Sequence, residues 1–114
     1  MYTASAYREA DLRVPKGVPF YFRYNHFEPE TAVEPHTHPW GQLCRISLGL
    51  MEATVEAHKL TAPAEYLIWV PANVPHSASI RQATDFISVY VAESLAERLP
   101  ATGCLIAQTP LVRA

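Results

Sequence analysis

Pro35-His36-Thr37-His38-Pro39-Trp40-Gly41-Gln42 is the stretch on which the reading of this chain turns. His36 and His38 lie two residues apart, and in an extended chain alternate side chains share a face, so the two imidazoles point the same way. Gln42 has the same parity, although Pro39 and Gly41 interrupt a continuous strand between them. An apolar run, Leu43 to Ser47, follows. A third histidine, His76, ends the proline-bounded turn Pro71-Ala72-Asn73-Val74-Pro75 and opens another apolar run. Two imidazoles, an amide and a distant third imidazole converge only if the chain closes on itself.

The flanking sequence supplies the strands for that closure. Gln42 to Leu48 reads as a strand and Gly49 as a turn. Leu50 to His58 alternates most cleanly, with Met51, Ala53, Val55 and Ala57 on one face and Glu52, Thr54, Glu56 and His58 on the other, as in a half-buried antiparallel strand. Tyr66 to Val70, His76 to Ile80, Asp85 to Val91 and Cys104 to Gln108 read as further strands. Gly17 to Glu28 is rich in aromatics that suit a pleated surface, with Phe20, Phe22 and Tyr24 on one face and Arg23 and Asn25 on the other. Pro29 to Pro35 reads as a loop, residues 1 to 16 as an arm or edge strand, and Ser94 to Leu99 as a short helical turn stopped by Pro100. Many short strands punctuated by ten prolines predict an all-β sandwich or barrel. Closing the sheet removes its edges and leaves an interior for packed side chains or one small ligand.

Composition narrows the function. A chain of 114 residues is one domain, large enough to bury roughly two-thirds of its unfolded surface. Hydrophobic residues make up 49 % and charged residues 18 %, the balance of a globular chain. A formal charge of -2 gives no basic field to neutralise phosphates, so these residues alone are a poor nucleic-acid binder. No apolar run approaches the roughly 20 residues of a membrane-spanning helix, and Arg8, Glu9 and Asp11 do not form a signal-peptide core. Cys44 and Cys104, far apart and each in an apolar run, read as reduced packing residues of a cytosolic protein.

His36, His38 and His76 read in two ways: as neutral imidazole ligands of a metal with Gln42 as a fourth donor, or as hydrogen-bonding groups at a wet barrel mouth. The 2-His-1-carboxylate arrangement of oxidative chemistry lacks its carboxylate, and Glu34 reads as a solvated loop charge. Trp40 and Trp69 flank the two motifs and, with Tyr24, are candidate walls for a ligand, while Trp69 reads equally as ordinary core and Trp40 as partly exposed. His26 and His58 read as surface or cross-strand partners. Ser77 and Ser79 beside His76 have no ordering acid, and the four scattered glycines form no phosphate loop.

His36-Thr37-His38 with Gln42, followed by Pro71-Ala72-Asn73-Val74-Pro75-His76, resembles the two motifs of the cupin superfamily, H-x-H-x3-4-E and P-x-G-x2-H, carried on a jelly-roll β-barrel. The wider context is similar to the N-terminal cupin domain of AraC-type transcription regulators over about residues 20 to 112. That context is Pro35 to Leu43, Trp69-Val70-Pro71, Val74-Pro75-His76, and Gly103-Cys104 to Thr109-Pro110-Leu111. Two departures stand out. Gln42 replaces the acidic ligand, so a divalent ion would meet a dipole and not a charge there. Asn73 replaces a glycine, a mild change because Asn tolerates the left-handed backbone.

The resemblance implies an arm (1–16), a cupin barrel (17–112) and, at 113–114, the start of a linker to a DNA-binding region. It implies a cytoplasmic, non-catalytic sensor of a small-molecule effector, with one divalent ion (Zn, Ni, Mn or Fe) as candidate cofactor. DNA would be reached only through that further region, no membrane is involved, and a homodimer is expected. The alternatives are a stand-alone metal-dependent cupin oxygenase or isomerase, and a non-catalytic dimerisation scaffold.

Overall fold

The computed structural model describes residues 2–3 and 19–107. In chain order its strands are β1 (Tyr2–Thr3), β2 (Phe20–Phe27), β3 (Thr31–His36), β4 (Gly41–Leu48), β5 (Leu50–Val55) and β6 (His58–Pro63). They continue with β7 (Tyr66–Val70), β8 (His76–Ile80), β9 (Thr84–Val91), the four-residue helix α1 (Glu93–Ala96) and β10 (Cys104–Ala107).

Two five-stranded sheets form, in the orders β1-β3-β8-β5-β6 and β10-β7-β4-β9-β2, antiparallel except for the short β1–β3 pair. Their inner faces make one core, built from Ile46, Ile68 and Phe86 of one sheet and Met51, Val55 and Ile80 of the other. The expected all-β jelly roll is therefore present, but the sheets are not closed into a continuous barrel. Chain passes from β6 to β7 through Pro63, which has no N–H to extend a ladder, and Glu65, whose φ of 79° turns the strand out of its sheet.

The outer face of the second sheet is apolar as well. Trp69, Val91 and Ala96 form a second cluster there, with α1 laid across it and the Trp69 indole N–H donating to the Pro100 carbonyl at 2.8 Å. Gly41 makes this approach possible, since a Cβ would fall inside contact distance of the Trp69 ring and 3.1 Å from the Ala96 Cβ.

Three local expectations are corrected. Pro29 to Pro35 is not a loop, because Thr31 and Val33 bury their side chains in β3 and a bulge before His36 accommodates Pro35. The alternation from Leu50 to His58 spans a hairpin and not one strand, since Glu56 adopts φ 55° and exposed Ala57 completes the turn. The helix is one residue earlier and shorter than Ser94 to Leu99, with residues to Leu99 in tighter turns. Of the expected arm at 1–16, all but Tyr2–Thr3 lies outside the described residues, as do 108–114 with the expected linker start. Cys44 and Cys104 are both free thiols. No helix among the described residues is long and apolar enough to cross a membrane.

Candidate metal centre

Strand pairing assembles the site. His36 closes β3 and His76 opens β8, and the two are direct cross-strand partners, with Val55 of β5 beside His76. His38 comes from the loop that crosses to the second sheet, and Gln42 from the start of β4 there, opposite Val70 and Tyr90. The ring centroids lie 4.3 Å apart for His36 and His76, 4.7 Å for His38 and His76, and 5.9 Å for His36 and His38. His38 and Gln42 are each only 3 % exposed and His76 8 %, so the site is buried except at His36. The four residues singled out from their spacing thus meet in one place.

Backbone carbonyls fix the rings. Nδ1 of His36 lies 2.7 Å from the Glu34 carbonyl, Nδ1 of His38 2.8 Å from that of Trp40, and Nδ1 of His76 2.9 Å from that of Val74. A carbonyl only accepts, so each Nδ1 carries a proton, and Nε2 is the ring atom that could bind an ion. One potential ligand atom per residue lies within 4.8 Å of the others, the spread of groups that can surround a single ion. Outer-shell carbonyls that orient metal-binding imidazoles in this way are the usual support of such centres. The residues fit a divalent ion: three imidazoles for Zn, Ni, Mn or Fe, with the Gln42 oxygen beside them.

Gln42 is itself held. Its Nε2 donates to the Ser88 hydroxyl at 3.0 Å, which sets Oε1 3.2 Å from the His38 Nε2, two lone-pair atoms that only a shared cation or a second proton on His38 would join. Ser88 also takes the Asn25 amide at 3.4 Å and has the Cys44 thiol 3.8 Å away, so a buried polar row backs the site. Asn73 adopts φ 62°, the left-handed turn expected of it. Its backbone N–H donates to the His38 carbonyl at 2.8 Å, and its side-chain amide reaches Glu93 of α1 at 3.0 Å.

Below the histidines lies a cavity of about 40 Å³. His36, Gln42 and His76 contribute to one end of it, and Met51, Ala53, Val55, Ile68 and Phe86 are among the apolar side chains of the remainder.

The aromatic candidates separate. Trp40 stacks on His38, centroids 5.1 Å apart and planes within 10°, with its buried indole N–H lacking a hydrogen-bond partner among the described residues. Trp69 pairs with Leu43, so it faces away from Gln42, and is 2 % exposed in the outer cluster. Tyr24 pairs with Ile87 on the same outer face and is 63 % exposed. Neither reaches the cavity, because strand alternation sends both to the wrong side. Tyr90, overlooked in the sequence, packs edge-on against His38 and Trp40 at 6.0 and 5.9 Å. Its parity with Ser88 and Phe86 was the available signal. His26 pairs across the strand with Asp85, to which its Nδ1 is bonded, and its Nε2 lies 3.3 Å from Glu28. The bond to Asp85 raises the His26 pKa and lowers that of Asp85.

No family model matches the chain. Over 78 residues it is 31 % identical to the HTH-type transcriptional regulator NimR of Escherichia coli (strain K12), covering 68 % of this chain and 28 % of the regulator. Among solved structures it resembles an RmlC-like cupin from Shewanella frigidimarina, with a TM-score of 0.61, 18 % identity, and coverage of 64 % of this chain and 66 % of that one. It also resembles Bacillus subtilis oxalate decarboxylase, a protein with Mn(II) centres, with a TM-score of 0.60 and 17 % identity, covering 72 % of this chain and 23 % of the enzyme. The fold is that of the cupins. The chain spans little more than a quarter of the regulator's length and less than a quarter of the enzyme's.

Proposed function

We propose that this chain is the effector-sensing cupin domain of an AraC-type transcription regulator, cytoplasmic and non-catalytic, acting as a homodimer and reaching DNA through a separate region. The observation that carries the reading is the 31 % identity to a helix-turn-helix regulator across 68 % of the chain. Among the described residues the cluster is three histidines with no carboxylate, which supports binding over oxidative chemistry. Within the proposal, His36, His38 and His76 hold a divalent ion through Nε2, and the carbonyls of Glu34, Trp40 and Val74 keep the rings in register. Bound there, the ion supplies a Lewis-acidic anchor for an effector. Asn73 joins the His38 loop to Glu93, so a shift of the site is felt by α1. A sensor works by binding two arrangements unequally, and about 1–3 kcal/mol of coupling is enough.

Two measurements test this. The gene's reading frame should continue past Ala114 into two helix-turn-helix patterns, and a frame that stops there removes the main support. Zinc titration of the pure protein should give one ion per chain, lost in His76→Ala. The second reading, a metal-dependent enzyme, draws on the three-histidine cluster and on the fold shared with oxalate decarboxylase. It requires turnover of a small acid such as oxalate by Mn-loaded protein, abolished by His38→Ala.

A further inference from the structure

We infer that two copies of this chain pair through the outer face of the second sheet, about a two-fold axis running along β9. This rests on the homodimer in the reading above and names its surface.

Exposure singles the face out. Phe20, Phe22 and Tyr24 point outward from β2 and are 49, 68 and 63 % exposed, and Leu48, opposite Asp85 after the bulge in β4, is exposed on the same face. Four of the six exposed large hydrophobic side chains among the described residues thus gather on one face, a concentration that marks an interaction surface. The helix α1 covers the end of that face that holds Trp69 and leaves this end bare. The three rings alone offer about 350 Å², close to half of the roughly 800 Å² that each partner brings to a standard interface. Half-buried Leu43, Ile87 and Val89 and exposed Arg45 lie beside them and extend it.

The register decides what fits there. Strand β9 runs between β2 and β4, and the rows across the three are Phe22, Val89, Leu43 and Tyr24, Ile87, Arg45. Two antiparallel sheets packed face to face keep their strands within about 30° of each other. A two-fold axis along β9 then lays β2 of each copy over β4 of the other, so Phe22 meets the second copy's Leu43 and Tyr24 its Arg45. Arg45 makes no ion pair among the described residues. Over the Tyr24 ring its guanidinium gains a cation–π contact, beside Asp85 and Glu28, the carboxylates gathered around His26 at that end of the face. One face carries both the cation and the aromatic and acidic groups that receive it, as the pairing of identical surfaces requires.

Sedimentation equilibrium of the whole chain tests this and should show a dimer in the micromolar range. Phe22→Glu places a charge in the interface twice, once from each copy, and should weaken the dimer by at least about 30-fold. Arg45→Glu, which sets a carboxylate beside Asp85 and Glu28, should weaken it by about tenfold or more. Both positions are exposed, so the circular dichroism spectrum should stay that of the parent. Ile87→Cys, on the axis, should form a disulfide between copies under mild oxidation. The parent, with its own Cys44 and Cys104, should not, nor should Thr61→Cys on the outer face of the first sheet. A dimer that keeps its strength in both glutamate variants and gives no Ile87→Cys cross-link overturns the inference and leaves the homodimer standing on another surface. A monomeric parent overturns both and leaves the face to a partner of another kind.

Discussion

Replacing Gln42 by Glu should trade stability of the metal-free protein for affinity. The side chain is 3 % exposed, with its oxygen 3.2 Å from the His38 Nε2 and its nitrogen on Ser88. A carboxylate in that place loses its water, and an uncompensated buried charge costs several kcal/mol. Ser88 can turn its hydroxyl to donate and recover part, leaving a net loss of about 1–3 kcal/mol. Near 4–8 °C of melting temperature per kcal/mol for a domain close to this size, the metal-free variant should melt about 4–24 °C lower. With an ion present the sign reverses. Two unit charges 4 Å apart attract by about 4 kcal/mol at an effective dielectric constant of 20, and a divalent ion doubles that. After desolvation we expect about 1.5–3 kcal/mol, or 10- to 100-fold tighter zinc binding. Calorimetric titration of zinc and differential scanning calorimetry with and without metal measure both quantities. A folded Gln42→Glu protein that binds zinc no better than the parent would refute the placement of this residue against the ion.

Three further outcomes follow from the geometry. Asn73→Ala should cost about 1–2 kcal/mol in urea unfolding because the turn holds φ 62°, whereas Asn73→Gly should lose under about 1 kcal/mol; equal losses would locate the effect in the Glu93 bond. Gly41→Ala should destabilise by about 1–3 kcal/mol through overpacking against Trp69 and Ala96, seen as a lower midpoint with an unchanged slope. The His26–Asp85 pair stabilises the fold between about pH 4, where Asp85 is already ionised, and about pH 6.5, where His26 is still protonated. Its contribution fades as pH rises through the raised His26 pKa. His26→Gln should therefore narrow the difference in melting temperature between pH 6 and pH 8.5, and an unchanged difference would assign that pH dependence to other groups.

Much of this molecule was legible from residue order. His36, His38, Gln42 and His76 met because parity and the proline-bounded turn before His76 constrain where strands start and stop. Met51, Ala53 and Val55 faced inward as their alternation required. What failed was local. Thr31 to His36 looked like a loop because Glu30, Glu34 and Pro35 surround its two buried positions, Thr31 and Val33, and a bulge hides the period. Tyr24, and Trp69 in its reading as a ligand wall and not as core, fell on the other face for another reason. Both faces of the second sheet are apolar, since α1 and the 97–103 segment cover part of the outer one, so hydrophobicity could not say which face is inside. The same ambiguity concealed Tyr90.

His36 and His76 hang from one sheet and Gln42 from the other, so the centre has no existence within either wall alone. Whatever occupies it bridges the two and resists their sliding apart. Its binding energy is therefore added to unfolding of the domain as a unit, about 2.7 kcal/mol when free ligand stands at 100 times its dissociation constant. If an ion is bound, removing it with a chelator should lower one shared melting transition, not split off a loosened corner.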